Sequence, residues 1–417
     1  MHNLHTKNTV RYYLLIAFLL VFLFFTNDFG LTDVQKTAIV MAVGVDREED
    51  TFIVTSQIAI PQSSKQGQSS EAVQLVSRGK TIGEAFEEIN AKTGWYPKLV
   101  FCNLIIVGEK AAEENVFDAL DYFLRDEYLS DNCFVATCDG LAKDILDTSA
   151  LVDPSSSTAI QKVLSDHAER VGTVMPNTLK DFSIGYFSES RSSFLPIVKK
   201  EPQQEHIDGS TSEGSDNSTG GGSSDGSSQN SGGSGGSSGQ SGGQKQEDKP
   251  VFSAGETALF VHGKRVGTLK SEETFALSAV LNKLRLASYS VEKDGKTCTL
   301  TIKQNSPKVS LKTGKEDMFQ LSIDVTMSAG ILDYSKAQNL KSISDAGNVP
   351  MEYFTLAEQK LAGEIQTVYE KCRAVECDIF GVRERLIKYE RRRFHKHEDT
   401  AFENTRAQVN VRFRNIR

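Results

Sequence analysis

The sequence predicts an α+β protein behind an N-terminal membrane segment, and three observations carry that prediction. An apolar run from Tyr12 to Phe25 follows the basic residues Lys7 and Arg11. Between that run and a Ser/Gly-rich stretch at Ser210–Gly243, strand-like apolar segments alternate with helix-like stripes of period 3.6. After the stretch, strand patterns dominate until one long helical pattern near the C-terminus.

In the membrane segment, marked by Tyr12, Leu14, Leu20 and Phe25, the basic flank holds the N-terminal side in the cytoplasm and sends the rest of the chain outside. At about 1.5 Å per residue the run is short for a hydrocarbon core of roughly 30 Å, so its length also suits a signal-peptide core. Phe29 and Leu31 can extend it. No A-x-A-like cleavage site follows, and the first cysteine is Cys102, so no lipobox is present. An uncleaved signal-anchor is the reading favoured over a cleaved signal.

The first domain opens with an apolar strand, Thr37–Asp46, a turn at Asp46–Asp50, and a returning strand, Thr51–Ile60. Thr81-Ile-Gly-Glu84 reads as a capping box, with Ala85, Phe86 and Ile89 as the apolar stripe and Gly94 as the stop. Leu99–Val107 reads as a buried strand, followed by a helix with Val116, Phe117, Leu120, Phe123 and Leu124 on one face. A strand at Phe134–Thr137 and a helix at Leu141–Leu146 come next. Ser210–Gly243 cannot bury apolar surface and reads as a solvated coil; taken alone it looks like a tether. Beyond it, Thr257–Val261 and Arg265–Leu269 make a hairpin around His262-Gly-Lys264. Strands are expected at Cys298–Ile302, Lys308–Lys312 and Phe319–Met327. A helix is expected to be capped at Thr355-Leu-Ala-Glu358, with Leu356, Leu361, Ile365, Val368, Tyr369 and Cys372 as its stripe. Ala407–Arg414 is an alternating strand.

With 417 residues and a formal net charge of −8, the chain is not expected to bind nucleic acid, which needs a basic face. The basic residues gather after Arg383, and Arg391, Arg392, Arg393 and Phe394 are the candidate contact with anionic lipid or an acidic partner subunit. The six cysteines form no C-x-x-C pair and read as buried free thiols, although Cys102 and Cys133 remain a candidate spatial pair. Cys133 and Cys138 fall on opposite faces of a strand. Ser165-Asp166-His167 is contiguous, unlike a catalytic triad, and no G-x-S-x-G turn accompanies it. His395 and His397 read as part of a solvated basic strand or loop. No catalytic residue, cofactor or metal site is expected.

Several segments together resemble the Ger(x)C family, the C subunits of bacterial spore germinant receptors. They are Lys36–Asp46 with its returning strand, Leu104–Val116 leading to Leu120–Asp126, Gly255–Phe260 with Gly263–Gly267, and Cys377-Asp378-Ile-Phe-Gly381. Their order and spacing over nearly the whole chain give the resemblance its weight. The departures are the missing lipobox Cys, Phe394 and Phe402 where tryptophans are common, and the Ser/Gly insertion. The resemblance implies three mixed α/β domains with twisted, largely antiparallel sheets and packed helices. The boundaries are 1–31 for the membrane segment, 32–175, 176–290 and 291–417. The middle domain would carry the insertion at about 203–250 as a surface loop. The implied role is a non-enzymatic receptor subunit on the outer face of the spore inner membrane, with integral-membrane A- and B-type subunits as partners. The alternative is a stand-alone extracytoplasmic protein that binds a small nutrient or wall fragment.

Overall fold

The computed structural model describes residues 11–22, 37–59, 72–148, 153, 155–165, 172–202, 251–313, 318–335, 348–397 and 400–416. Residues 11–22 form helix α1, exposed along its length and carrying Tyr12, Leu14 and Leu20; Phe25 lies outside the described residues. Among the described residues no helix is long and apolar enough to cross a membrane.

The first sheet begins with the hairpin β1 (Thr37–Glu48) and β2 (Thr51–Ala59), extended by β3 (Ala72–Gly79). Helix α2 (Ile82–Thr93) follows: as the sequence predicts, the Thr81 hydroxyl accepts from the Glu84 N–H and Gly94 closes the helix in the left-handed region. The Glu84 carboxylate, however, accepts from the Lys80 N–H, one residue before the Thr81 N–H of a full capping box. Then come β4 (Tyr96–Lys98), β5 (Leu104–Val107), α3 (Glu109–Arg125), β6 (Phe134–Cys138), α4 (Ala142–Leu146), α5 (Ser156–Leu164), β7 (Asn177–Thr178) and α6 (Leu179–Phe187). The buried strand is shorter than Leu99–Val107, because Leu99–Cys102 is a turn in which the Cys102 N–H donates to Leu99.

Strands β8 (Ser192–Glu201), β9 (Val251–Val261) and β10 (Lys264–Leu269) continue this same sheet, so the residues assigned to the first and middle domains share it. The order is β10-β9-β8-β6-β5-β1-β2-β3, with β4 beside β1 and β7 beside β6. Its centre is parallel, not antiparallel: β1 pairs β5, β5 pairs β6 and β6 pairs β8 in parallel, with antiparallel hairpins on both flanks. Each central strand returns through a helical crossover, which parallel pairing requires. Helices α2, α3 and α6 cover one face over Val43, Val45, Ile105, Val107 and Val135. Helices α4 and α5 cover the other over Ala42, Leu104, Ile106 and Ala136. Glu201 is paired with Val251, so residues 202–250 connect hydrogen-bonded neighbours.

Helix α7 (Ser271–Val280) leads into a second, four-stranded sheet of β11 (Ala287–Lys293), β12 (Lys296–Thr313), β13 (Phe319–Tyr334) and β14 (Thr405–Asn415). The two strands expected at 298–302 and 308–312 are one, β12; Pro307 is tolerated because β11 has ended by then and one edge is free. Helix α8 (Met351–Ala374) starts four residues before the expected Thr355 cap, directly after Pro350. It is followed by α9 (Val382–Lys396), and the pair forms the crossover that sets β14 parallel to β13. The core under this sheet includes Leu361, Ile365, Tyr369, Leu386 and Phe413 and runs through α7 to Phe194 and Leu259 of the first sheet.

Candidate functional site

The segments that carry the family resemblance come together at three junctions. In the first, Asp46 near the end of β1 is almost fully buried. Its Oδ1 accepts from the Ala142 N–H at 2.7 Å and its Oδ2 from the Lys143 N–H at 2.9 Å, which caps α4. Burial pushes this carboxyl up from its ordinary value, opposed by the two backbone donors. Gly108, at the start of α3, packs directly on the same carboxylate, and its N–H donates to Val45 at 2.9 Å. The Glu109 N–H in turn donates to Gly140 at 2.9 Å, while the Gly140 N–H donates to the Glu109 carboxylate at 3.0 Å.

The second junction is a break in α3. Asn115 has strand-like dihedrals within the helix, and its Oδ1 accepts from the Phe117 N–H at 3.1 Å, restarting the helix as a cap does. The tip of the β9–β10 hairpin fills the break: Gly263, at φ +79, accepts from the Val116 N–H at 2.7 Å. Beside it, the Phe117 and Tyr186 rings stack with centroids 4.0 Å apart.

The third junction joins the two sheets through Cys377–Gly381, the turn between α8 and α9. The Cys377 thiol faces the Phe260 carbonyl, and the Asp378 N–H donates to the Ser192 hydroxyl at 3.0 Å. The buried Asp378 carboxylate accepts from the Val382 and Arg383 N–H groups at 2.9 and 2.8 Å and caps α9. Burial lifts it to about 7 despite those donors. Glu384 accepts from the Ser190 N–H at 3.0 Å. A hollow of about 310 Å³ lies here, lined by Asn177, Asp181, Ser190, Ser192, Lys283 and Asp378 among others. Both Asp378 oxygens already serve backbone donors, so the carboxylate works as a cap and a latch.

The basic segment divides. Arg391 and Arg392 are exposed on α9, and Arg393 lies on the same helix. Phe394, expected to join them as a contact, is instead buried in the core with Phe402 and Phe413. Its position on the inner face of α9 takes it out of reach of a lipid or partner. His395 and His397 are on or capping α9, not on a strand or loop. His167 lies outside the described residues. All six cysteines are buried free thiols. Cys102 and Cys133 are neighbours, and the hydrogen bond that the Cys133 thiol shares with Cys102, together with burial, pushes the Cys133 thiol well up. Cys133 and Cys138 face the cores on opposite sides of the sheet. Among the described residues no group of histidine, cysteine and carboxylate side chains is arranged to hold a metal. Sequence reasoning missed the structural role of Asn115, whose only signal is a helix-disfavouring residue inside an apolar stripe.

Residues 31–200 match the family described as the spore germination protein N-terminal domain, and residues 255–417 match the spore germination B3/GerAC-like C-terminal family. Spore germination protein B3 of Bacillus subtilis (strain 168) is 23% identical over 377 residues, covering 88% of this chain and 84% of that protein. The crystal structure of the GerBC protein superposes with a TM-score of 0.51 at 16% identity, covering 90% of this chain and 97% of that one. The two matched regions end and begin on either side of the insertion between β8 and β9, and together they take in all three junctions. Sharing both parts of that architecture in order, the chain belongs to the Ger(x)C family of spore germination proteins.

Proposed function

We propose that this protein is the C subunit of a spore germinant receptor, a non-enzymatic component that supports receptor assembly and couples nutrient binding to germination. The observation that carries this reading is the ordered match of both germination-family regions across residues 31–200 and 255–417. The residues behind the resemblance are spent on packing: Asp46 and Asp378 cap helices, and Gly108 and Gly263 admit close neighbours. A rigid scaffold of this kind suits an assembly subunit. The apolar run from Tyr12 to Phe25 supports attachment to the spore inner membrane as a signal-anchor, with the folded part on the outer face. Its partners in this reading are the integral-membrane A- and B-type subunits, and the exposed Arg391 and Arg392 offer them a basic contact.

A strain lacking this protein is expected to grow and sporulate normally but fail to germinate with at least one nutrient. Unchanged germination across the nutrient panel would refute the assignment. Mass spectrometry of the mature N-terminus tests the anchor, since a chain starting near Asp28 would show a cleaved signal.

A further inference from the structure

The end of the first sheet from which β1 starts carries a cluster of exposed aromatic and apolar side chains. Trp95, Tyr96, Val100, Phe101 and Tyr128 are each between 38% and 58% exposed, and of the five only Tyr96 lies on a strand, the short β4. They come from two chain segments that meet: the Lys98 ammonium lies 4.9 Å from the Tyr128 ring centroid. Tyr96 on β4 is paired in parallel with Thr37, the first residue of β1. The loops holding Phe101 and Tyr128 precede the parallel strands β5 and β6, and so lie at the same end as Thr37.

The position of this cluster in the chain says what covers it. The apolar run ends at Phe25, and the connection to Thr37 can span at most about 3.3–3.6 Å per residue. That holds this end of the sheet within roughly 40 Å of the bilayer if the run is membrane-embedded. Tryptophan and tyrosine concentrate at membrane–water interfaces because their rings combine an apolar body with a polar edge. Lys98 can extend its head to the phosphate level while its stem stays with the rings. Asp126 and Glu127 flank Tyr128, so attraction to anionic headgroups is not the driving force; ring burial is.

We propose that Trp95, Tyr96, Val100, Phe101 and Tyr128 form a membrane-resting rim that seats the first sheet on the lipid surface beside its own anchor, with the Asp46 end pointing away. This rests on the membrane attachment argued above. Trp95 is the sole tryptophan, so the full chain reports on the rim without labelling. In phosphatidylcholine vesicles its emission is expected to shift to the blue and to be strongly quenched by lipids brominated high on the acyl chain, with little dependence on salt. Phe101→Ser with Tyr128→Ser is expected to weaken the quenching while thermal unfolding stays cooperative. Moving the reporter to the far end of β6, with Trp95→Phe and Leu141→Trp, is expected to leave emission unquenched. A chain that floats with vesicles but shows an unquenched Trp95 overturns the rim alone and points to a protein covering it. Equal quenching at position 141 overturns it too. A chain that does not float overturns the membrane attachment and the rim with it.

Discussion

Gly108 sits so close to Asp46 that a Cβ at position 108 would overlap the Asp46 Oδ1, the oxygen that also accepts from the Ala142 N–H. The end of β1, the start of α3 and the start of α4 are thereby fixed around a single carboxylate. Gly108→Ala is expected to cost about 1–3 kcal/mol, the usual range for overpacking a filled site. Asp46→Ala strands the N–H groups of Ala142 and Lys143 and is expected to cost about 1–3 kcal/mol as well. The two effects are not additive: with the carboxylate gone, the added methyl has room. A urea-unfolding double-mutant cycle should therefore show Gly108→Ala to be milder in the Asp46→Ala background. Strict additivity would mean that the two residues are not in the contact described.

Asp378 gives stability a pH dependence with a definite sign. Its carboxyl ordinarily titrates near 3.8 and is lifted by burial to about 7 in the folded protein. Between those values the folded chain keeps a proton that the unfolded chain has lost, so stability is fullest below the unfolded value and falls as pH rises through the folded one. Asp378→Asn keeps an oxygen for the α9 N–H groups but cannot ionise. The variant is expected to lose less stability than the wild type between about pH 4 and pH 7, with a residual slope from Asp46, whose carboxyl burial also raises. Parallel melting-temperature profiles for the two proteins would count against this account.

Local signals were the legible part of this fold. The α2 cap at Thr81 and stop at Gly94, the β1–β2 and β9–β10 hairpins, and the alternation of β14 all follow from spacing and turn chemistry within a dozen residues. The failures are long-range. Nothing local says that β8 lies parallel to β6, because that pairing depends on helices packing across the sheet. Phe394 lies among arginines in sequence, and only the phase of α9 against the core turns it inward. The Asn115 break is intelligible only once Gly263 is known to occupy it. As for the sites, Asp46 and Asp378 were visible as parts of a family pattern, but their capping roles needed the fold.

Arg391 and Arg392 project from α9 and make no contribution to the core. Arg391→Glu with Arg392→Glu is expected to leave the melting temperature nearly unchanged, since exposed substitutions of this kind fall within about 0.5 kcal/mol. If these residues meet an acidic partner subunit, the same variant should recover less of the A- and B-type subunits on affinity purification and should germinate slowly. Normal recovery and normal germination would remove the basic face of α9 from the proposed interface.

The insertion makes a stability prediction of its own. Because Glu201 and Val251 are already paired across β8 and β9, residues 202–250 add closure entropy between strands that are neighbours without them. Replacing the segment by Asn-Gly, which favours a two-residue hairpin turn, shortens the loop from roughly fifty residues to two. At about 0.6 kcal/mol per doubling, that change is worth roughly 2–3 kcal/mol in favour of the folded state. The expected result is a higher urea midpoint with an unchanged m-value, because the buried surface of both sheets stays the same. A lower midpoint would mean that the removed segment holds the β8–β9 pair together instead of merely connecting it.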